Sequence, residues 1–332
     1  MKLLVYGAGA VGQTIGGMLA ADGHSVDFII RERYIQGIKA AGLSITGIFG
    51  DYSTDSAKLG LFSSLEPVRR KSYDYILITT KSYDTGDAVK ELDKIDTGEF
   101  VVVSMQNGCG NFEKVIERFG DERSLAARII TGFEIERPGL VRITVTADSI
   151  HIGGNIEGEI PKSAVVLAEA INKAGLPCSA TTHINRDLLA KLLYNSALNP
   201  LGAALGVRYG ILGDDPHSRS IMNAVIEEVF AVITAMGKKT HWETPEEYEY
   251  FFYRNQIPAT YNHRSSMLQD LEMGKRTEVD ALTGYVSSKG DEYGIPTPVC
   301  DTMSEIISFL EQNGGKCTRS NLRGEIHNDE KQ

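Results

Sequence analysis

The sequence predicts two units in series, an α/β unit built on a mostly parallel sheet and an all-α unit after it. Three observations carry this. Up to about Asn185, short apolar runs alternate with amphipathic segments. A glycine-patterned turn joins the first apolar run to the first helical segment. Beyond Asn185, apolar residues recur at helical spacing and strand-like alternation largely disappears.

In chain order, Leu3 to Tyr6, Val26 to Ile30, Tyr75 to Thr79 and Phe100 to Ser104 each read as a buried strand. Val11 to Ala21, Tyr34 to Ala41 and Thr85 to Leu92 read as the helices between them. Such alternation implies right-handed crossovers and parallel pairing. Three β-rich pieces follow at Ala126 to Ile130, Leu140 to Thr146 and Ile150 to Gly153. A helix from Pro161 to Ala174 stops at Gly175, a residue suited to a C-terminal cap. The second half reads as helices at 186–205, 217–236, 279–290 and 298–310. The domain boundary falls between Thr182 and Arg186, giving units 1–184 and 185–313. The tail 314–332 is polar and nearly free of large apolar residues, and is expected to fray or stay disordered.

Composition narrows the function class. The chain has 332 residues, 42% hydrophobic and 23% charged, which suits an ordinary globular protein with two cores. No stretch approaches the roughly 18 uncharged apolar residues of a membrane span, and the opening MKLLVYGAGAVG reads as a first strand rather than a signal peptide. A net charge of -10 offers no long-range attraction to nucleic acid or anionic membranes. Cys109, Cys178, Cys300 and Cys317 form no C-x-x-C pair and the histidines no H-E-x-x-H, so no metal site is expected. Free thiols fit a reducing cytoplasm.

Gly7-Ala8-Gly9-Ala10-Val11-Gly12 matches G-x-G-x-x-G, directly after a strand and opening a helix. Gly7 suits the tight turn, Gly9 a close approach of backbone to a pyrophosphate, and Gly12 close packing of helix on strand. The helix start adds amides and a favourable dipole. The first unit is thus expected to be a Rossmann-like dinucleotide-binding domain; the plainer alternative is a tight turn without a ligand. The second strand ends in Arg31-Glu32-Arg33, where an NAD site usually offers a carboxylate. A guanidinium can hold a 2′-phosphate bidentately, so Arg31 favours NADPH/NADP over NAD; the alternative is an exposed charge cluster. Lys81 and Gln106-Asn107-Gly108 follow two further strands. Lys81 is placed to neutralise phosphate and Asn107 to orient nicotinamide or substrate, unless both are solvated loop residues.

Lys191, Asn195 and Asn199 are spaced i, i+4, i+8. On a helix they share one face, drifting about 40° per step. Leu192, Leu193, Ala197 and Leu198 cover other faces, so the helix is expected to be buried and its polar stripe to need partners. The stripe is either a site or a structural ladder. Pro200 is expected to end or kink this helix near Asn199. Later, Ser266 is placed to donate to a substrate carboxylate, and Glu278 or Asp280 to open the next helix.

These motifs carry a resemblance. GAGAVG at the N-terminus, QNG at Gln106 to Gly108, K-x3-N-x3-N-P at Lys191 to Pro200, HRSSMLQD, and RTEVD at Arg276 to Asp280 recur in order as in the ketopantoate reductase family. The chain resembles that family from residue 1 to about 312. The resemblance implies NADPH-dependent reduction of 2-dehydropantoate to pantoate, in pantothenate and coenzyme A synthesis. It implies Lys191 as general acid with Glu278 as its partner. It also implies Asn195, Asn199 and Ser266 as substrate ligands, and Asn107 at the boundary of cofactor and substrate. The segment Thr240 to Tyr261 departs from the family's pattern, and reads as a packed helix, a lid or an oligomer contact, a homodimer included. Two other readings stand beside this one, a reductase of another branched 2-oxo acid and a non-catalytic NADP-binding redox sensor. The sensor would need only the glycine loop.

Overall fold

The computed structural model describes residues 1–95 and 98–314, so the tail expected from 314 onward lies, past Gly314, outside the described residues. Two compact units emerge, Met1–Asp187 and Leu188–Gln332. The division falls three residues beyond the one read from the sequence.

The first unit begins β1 (Lys2–Tyr6), α1 (Ala10–Ala21), β2 (Ser25–Ile29), α2 (Glu32–Ala41), β3 (Leu43–Gly47), β4 (Tyr52–Thr54), β5 (Leu59–Phe62) and β6 (Tyr75–Ile78). It continues α3 (Thr85–Leu92), β7 (Val101–Ser104), α4 (Asn111–Phe119), β8 (Ser124–Arg128), β9 (Thr131–Arg137), β10 (Leu140–Thr146), β11 (Ile150–Gly153), α5 (Lys162–Lys173) and β12 (Cys178–Ala180). Eight strands form one sheet in the order β12-β11-β8-β7-β6-β1-β2-β5, with every neighbouring pair parallel except β8 and β11. The strand order reverses at β1: the chain moves outward to β2 and β5 on one side, and to β6, β7 and β8 on the other. That reversal creates a crevice beyond the carboxyl end of β1, the usual ligand position in such sheets.

Alternate residues of β1 serve opposite cores. Leu3 and Val5 join Ile15, Met18, Phe28 and Leu167, whereas Leu4 joins Ile76, Val89, Leu92 and Val115. Both faces are covered, which is why the strand reads as an unbroken apolar run. A second sheet has four strands, β4-β3-β10-β9; of these the sequence reading names β10, at Leu140 to Thr146, and misses β3, β4 and β9, as it misses β5, β12 and α4. Helix α1 lies between the sheets: a Cβ at Gly16 would sit 2.5 Å from the Phe28 ring, and one at Gly17 2.7 Å from Ile45. Every residue from Gly12 to Ala20 is therefore buried.

The second unit is helical throughout its described residues. Helix α6 (Ile184–Leu205) enters it from the first unit. It is followed by α7 (Tyr209–Asp214), α8 (Pro216–Ala235), α9 (Pro245–Phe251), α10 (Ile257–Ala259), α11 (Ser266–Glu272), α12 (Thr283–Tyr293) and α13 (Pro298–Gln312). Helices α8, α12 and α13 pack on one another around Val229, Val286 and Ile307, all fully buried. The start of α8 is capped by Asp215, which accepts from the amides of His217 and Ser218 at 2.9 and 3.0 Å. Glu228 of α8 likewise accepts from Val299 and Cys300 at 2.8 Å each, satisfying the first amides of α13.

Two local expectations are corrected. Pro200 does not end α6, which runs on to Leu205. A proline within a helix costs about 3 kcal/mol, and the turns around it bury Leu198, Leu201 and Ala203 at 5% exposure or less, burial of a size that offsets such a cost. The helix read at 279–290 starts later, at Thr283, because Val279–Ala281 forms a separate 3₁₀ turn. The aromatic segment after Thr240 is packed helix: Tyr248 and Phe252 are wholly buried, with Trp242 4.7 Å from Tyr248 and Tyr248 5.6 Å from Phe252, ring centre to ring centre. A π-helical turn, Phe252–Gln256, bridges α9 and α10. Among the described residues no helix is long and apolar enough to cross a membrane.

Candidate active site

Four loops leave the carboxyl ends of four adjacent strands in the first unit, β2, β1, β6 and β7. The loop after β1 carries the glycines. Gly7 has φ of 84°, and a Cβ there would fall 2.1 Å from Thr80 Cγ2 and 2.9 Å from its backbone nitrogen. Gly7 and Ala8 both donate to the Ile29 carbonyl at 3.0 Å, which ties this loop to the end of β2. A Cβ at Gly12 would lie 2.4 Å from Thr79 Oγ1 and 2.8 Å from Val5 Cγ1, so α1 seats directly on the strands. Gly9 differs: a Cβ there meets nothing nearer than the Gly7 carbonyl oxygen at 4.0 Å. It caps α1 with no side-chain hydrogen bond and no acid in the first turn. The amides of Ala10, Val11 and Gly12 belong to the first turn of α1, lack intrahelical acceptors and lie at the positive end of its dipole. An open position flanked by two tightly packed glycines fits the pyrophosphate of a dinucleotide.

Arg31 is the N-cap residue of α2, exposed, and its side chain has no hydrogen bond or ion pair among the described residues. Arg33 is engaged instead, donating to Tyr34 Oη at 3.1 Å and lying over that ring. Lys81 is half-buried in the loop after β6. Its carbonyl accepts from Gln106 Nε2 at 3.3 Å, and the same nitrogen lies 3.1 Å from the Thr80 carbonyl and 2.8 Å from Thr85 Oγ1. Thr85 Oγ1 in turn reaches Asn111 Oδ1 at 2.7 Å, and Asn111 Nδ2 donates to the Asn107 carbonyl at 2.8 Å. Gln106, Thr85 and Asn111 are all nearly inaccessible, and together they hold the Lys81 and Asn107 loops against each other. The sequence reading gives no role to Thr85 or Asn111; each is the first residue of its helix, α3 and α4, where a polar side chain is ordinary and signals nothing.

In the second unit, α6 presents the stripe. Lys191 is half-buried, while Asn195 and Asn199 are 9% and 6% exposed. The Asn195 amide has no hydrogen bond among the described residues, yet neither of its polar atoms is sealed from solvent. Asn199 Oδ1 accepts from the Tyr209 hydroxyl, and its Nδ2 has no partner among the described residues and is not sealed. Ser265 caps α11, accepting from Leu268 at 3.0 Å, and its Oγ lies 3.5 Å from the Asn199 carbonyl. Ser266, the first residue of α11, is exposed. Glu278 is 8% exposed and precedes the 3₁₀ turn, whereas Asp280 is exposed and pairs with Arg276 at 2.8 Å. Of the two acids, only Glu278 is built into the interior. The structure thus places Gly7 to Gly12, Arg31, Lys81 and Asn107 in the first unit, and Lys191, Asn195, Asn199, Ser266 and Glu278 in the second.

A doubly wound sheet with an uncapped glycine-rich helix start, followed by a helical unit whose stripe joins a half-buried lysine to two buried asparagines, defines a dinucleotide-dependent oxidoreductase. The particular family follows from comparison. Residues 3–155 match the family described as "Ketopantoate reductase PanE/ApbA" and residues 183–311 its C-terminal counterpart, so the chain belongs to the ketopantoate reductase family. A protein of Aquifex aeolicus named 2-dehydropantoate 2-reductase is 36% identical, over 94% of this chain and 97% of its own. The solved structure of a PanE/ApbA family ketopantoate reductase from Ralstonia eutropha superposes with a TM-score of 0.82 at 30% identity, covering 95% of this chain and 100% of that one. A D-mandelate dehydrogenase, solved with NADH and anilino(oxo)acetate, shares the fold at a TM-score of 0.83 and 23% identity, covering 95% and 99%.

Proposed function

We propose that the chain reduces 2-dehydropantoate to pantoate with NADPH. The observation that carries this is the α6 stripe. Two nearly buried asparagine amides keep hydrogen-bonding capacity unspent, one and two turns beyond a half-buried lysine. Polar groups that are nearly buried yet still open to solvent, with bonding capacity unspent, are placed to take a ligand's polar atoms. The family match along nearly the whole chain supports the same reading.

In this reading Gly7, Ala8, Gly9, Ala10, Val11 and Gly12 hold the pyrophosphate, Arg31 the 2′-phosphate, and Lys81 adds positive charge, with Asn107 orienting the nicotinamide. NADPH, when bound, supplies the hydride. Lys191 holds a proton on Nζ and delivers it to the C2 oxygen of the 2-oxo acid, where negative charge grows as the carbonyl is reduced. Glu278 is the carboxylate that this reading assigns as the partner of Lys191. Asn195, Asn199 and Ser266 orient the acid by hydrogen bonds from amide and hydroxyl groups, which lowers the cost of reaching a reactive geometry. A cytoplasmic setting, where free thiols persist, belongs to the same reading.

The test follows the loss of NADPH absorbance when purified protein meets NADPH and 2-dehydropantoate, beside NADH and a panel of branched 2-oxo acids. Fast oxidation with 2-dehydropantoate and a preference for NADPH are expected. Turnover confined to another acid would move the substrate assignment, and tight NADPH binding with no turnover would favour a sensor.

A further inference from the structure

Asn195 and Asn199 look alike on the stripe, but their surroundings differ. Tyr209, at the start of α7, is 1% exposed, and its hydroxyl meets Asn199 Oδ1. A phenol has one proton to give. Tyr209 Oη has no other partner among the described residues, so that proton goes to Asn199 and the amide is fixed with Oδ1 turned towards the tyrosine. Nδ2, with its two hydrogens, is left to point elsewhere. Burial, with a smaller contribution from Tyr194, pushes the Tyr209 hydroxyl well above its ordinary value, so it stays a neutral donor at every working pH. Asn195 has no such anchor and can turn its amide either way.

The ring of Tyr209 is held independently of its hydroxyl. It packs edge-on to Tyr194 at 5.9 Å and tilted against His263 at 5.1 Å between ring centres. Its amide donates to the His263 carbonyl at 3.2 Å, and Gly210 donates to Tyr261 at 2.9 Å. The segment so held leads into Ser265 and Ser266, and the Ser265 hydroxyl lies 3.5 Å from the Asn199 carbonyl.

We propose that Tyr209 is a positioning residue for substrate: its hydroxyl pins the Asn199 amide so that Asn199 meets the ligand only as a hydrogen-bond donor, to an anionic or carbonyl oxygen. The inference rests on the proposed 2-oxo acid reduction and adds to it which atom type Asn199 reads. Two variants separate the parts. Tyr209→Phe keeps the ring packing and removes the pin. Asn199→Asp keeps an acceptor for Tyr209 but offers the ligand no donor.

The experiment measures kcat and KM on the best 2-oxo acid of the panel, and calorimetric binding of pantoate to the NADP-loaded protein. For Asn199→Asp, loss of a hydrogen bond to a charged group predicts a fall in kcat/KM and pantoate affinity of about 10- to 100-fold. For Tyr209→Phe, a smaller rise in KM of about 5- to 20-fold is expected, with kcat within about 2-fold and NADPH affinity unchanged, because only one neutral bond is lost. Asn199→Ala should then cost much less in the Tyr209→Phe background than in the wild type, since the two act as one unit. Additive effects, or an Asn199→Asp protein that binds pantoate normally, would overturn the inference while leaving the proposed function intact. Wild-type protein that neither binds pantoate nor turns over any acid would sink both.

Discussion

Alanine at Gly9 and alanine at Gly7, two residues apart, should produce opposite failures. Gly9 has φ of -77° and ψ of -155°, which alanine adopts freely, and a Cβ there has 4.0 Å of clearance. Gly9→Ala should therefore leave the unliganded fold as stable as before, or firmer by about 0.4–1 kcal/mol through a less mobile unfolded chain. In the proposed reading the new methyl falls at the pyrophosphate position, so the nucleotide phosphate is displaced from the start of α1. Losing bonds to a charged group at about 1.5–3 kcal/mol predicts NADPH binding weaker by about 10- to 150-fold. At Gly7 the cost falls on the fold. The left-handed backbone costs an alanine about 1–2 kcal/mol and the clash with Thr80 about 1–3 more, so Gly7→Ala should lose about 2–5 kcal/mol. At about 2–4 °C per kcal/mol for a unit of this size, its melting temperature should drop by roughly 4–20 °C. Thermal melts without nucleotide and fluorescence titration with NADPH read the two effects separately. A Gly9→Ala protein that binds NADPH like the wild type would refute the placement of the pyrophosphate. One that melts far below the wild type would refute the packing argument itself.

Lys191→Ala should abolish turnover and leave NADPH titration largely unchanged; retained turnover removes the lysine from proton delivery. Arg31→Asp should weaken NADPH far more than NADH, because its target is the 2′-phosphate alone, and equal losses on both cofactors would end that assignment. His263 has its pKa lowered from 6.5 by burial, so the unfolded chain binds the proton more readily than the folded one. Its contribution to stability is therefore complete above about pH 6.5 and declines as pH falls towards the folded value. His263→Phe, which keeps a ring against Tyr209, should melt with a shallower pH dependence between pH 7 and 5, and an unchanged slope would show that His263 titrates alike in both states.

Six of the large sheet's eight strands, all but the edge strands β5 and β12, are legible because their signals are local. A run such as Leu3 to Tyr6 is buried on both faces and needs no knowledge of its neighbours, and α1 announces itself by the glycines before it. The small sheet is not legible, for the opposite reason. Its central pair joins β3 to β10, with Leu140 opposite Ser44, and β10 pairs with β9 through two register shifts. Apart from β10, which the sequence shows as a β-rich piece, its strands are short or largely solvent-facing, and the β3–β10 pairing that joins the two hairpins spans nearly a hundred residues of chain, so no local pattern separates them from loop. Pro200 misleads for a related reason: local sterics argue for a helix end, and burial of the flanking apolar residues, a tertiary effect, carries the helix through.

The site divides along the same line. Spacing alone puts Lys191, Asn195 and Asn199 on one face of a helix, since that is a property of the helix itself. What each can do depends on partners that spacing does not disclose. Tyr209 follows Asn199 by ten residues and sits on another helix, and only folding places its hydroxyl on the amide oxygen. Glu278 and Asp280 are indistinguishable as sequence, two acids within three residues. The structure buries the first and leaves the second outside on Arg276. A carboxylate taken out of water is retained only where something compensates it, so burial, rather than residue type, is what separates Glu278 from Asp280 and supports its place in the proposed site. The loops of the first unit repeat the pattern: Lys81 and Asn107 stand out as residues, but their relative placement comes from Gln106, Thr85 and Asn111, whose hydrogen bonds span 21 and 26 positions of chain. Residues that touch a ligand advertise themselves by type and position, whereas those that hold them in place are ordinary polar residues until the fold brings them together.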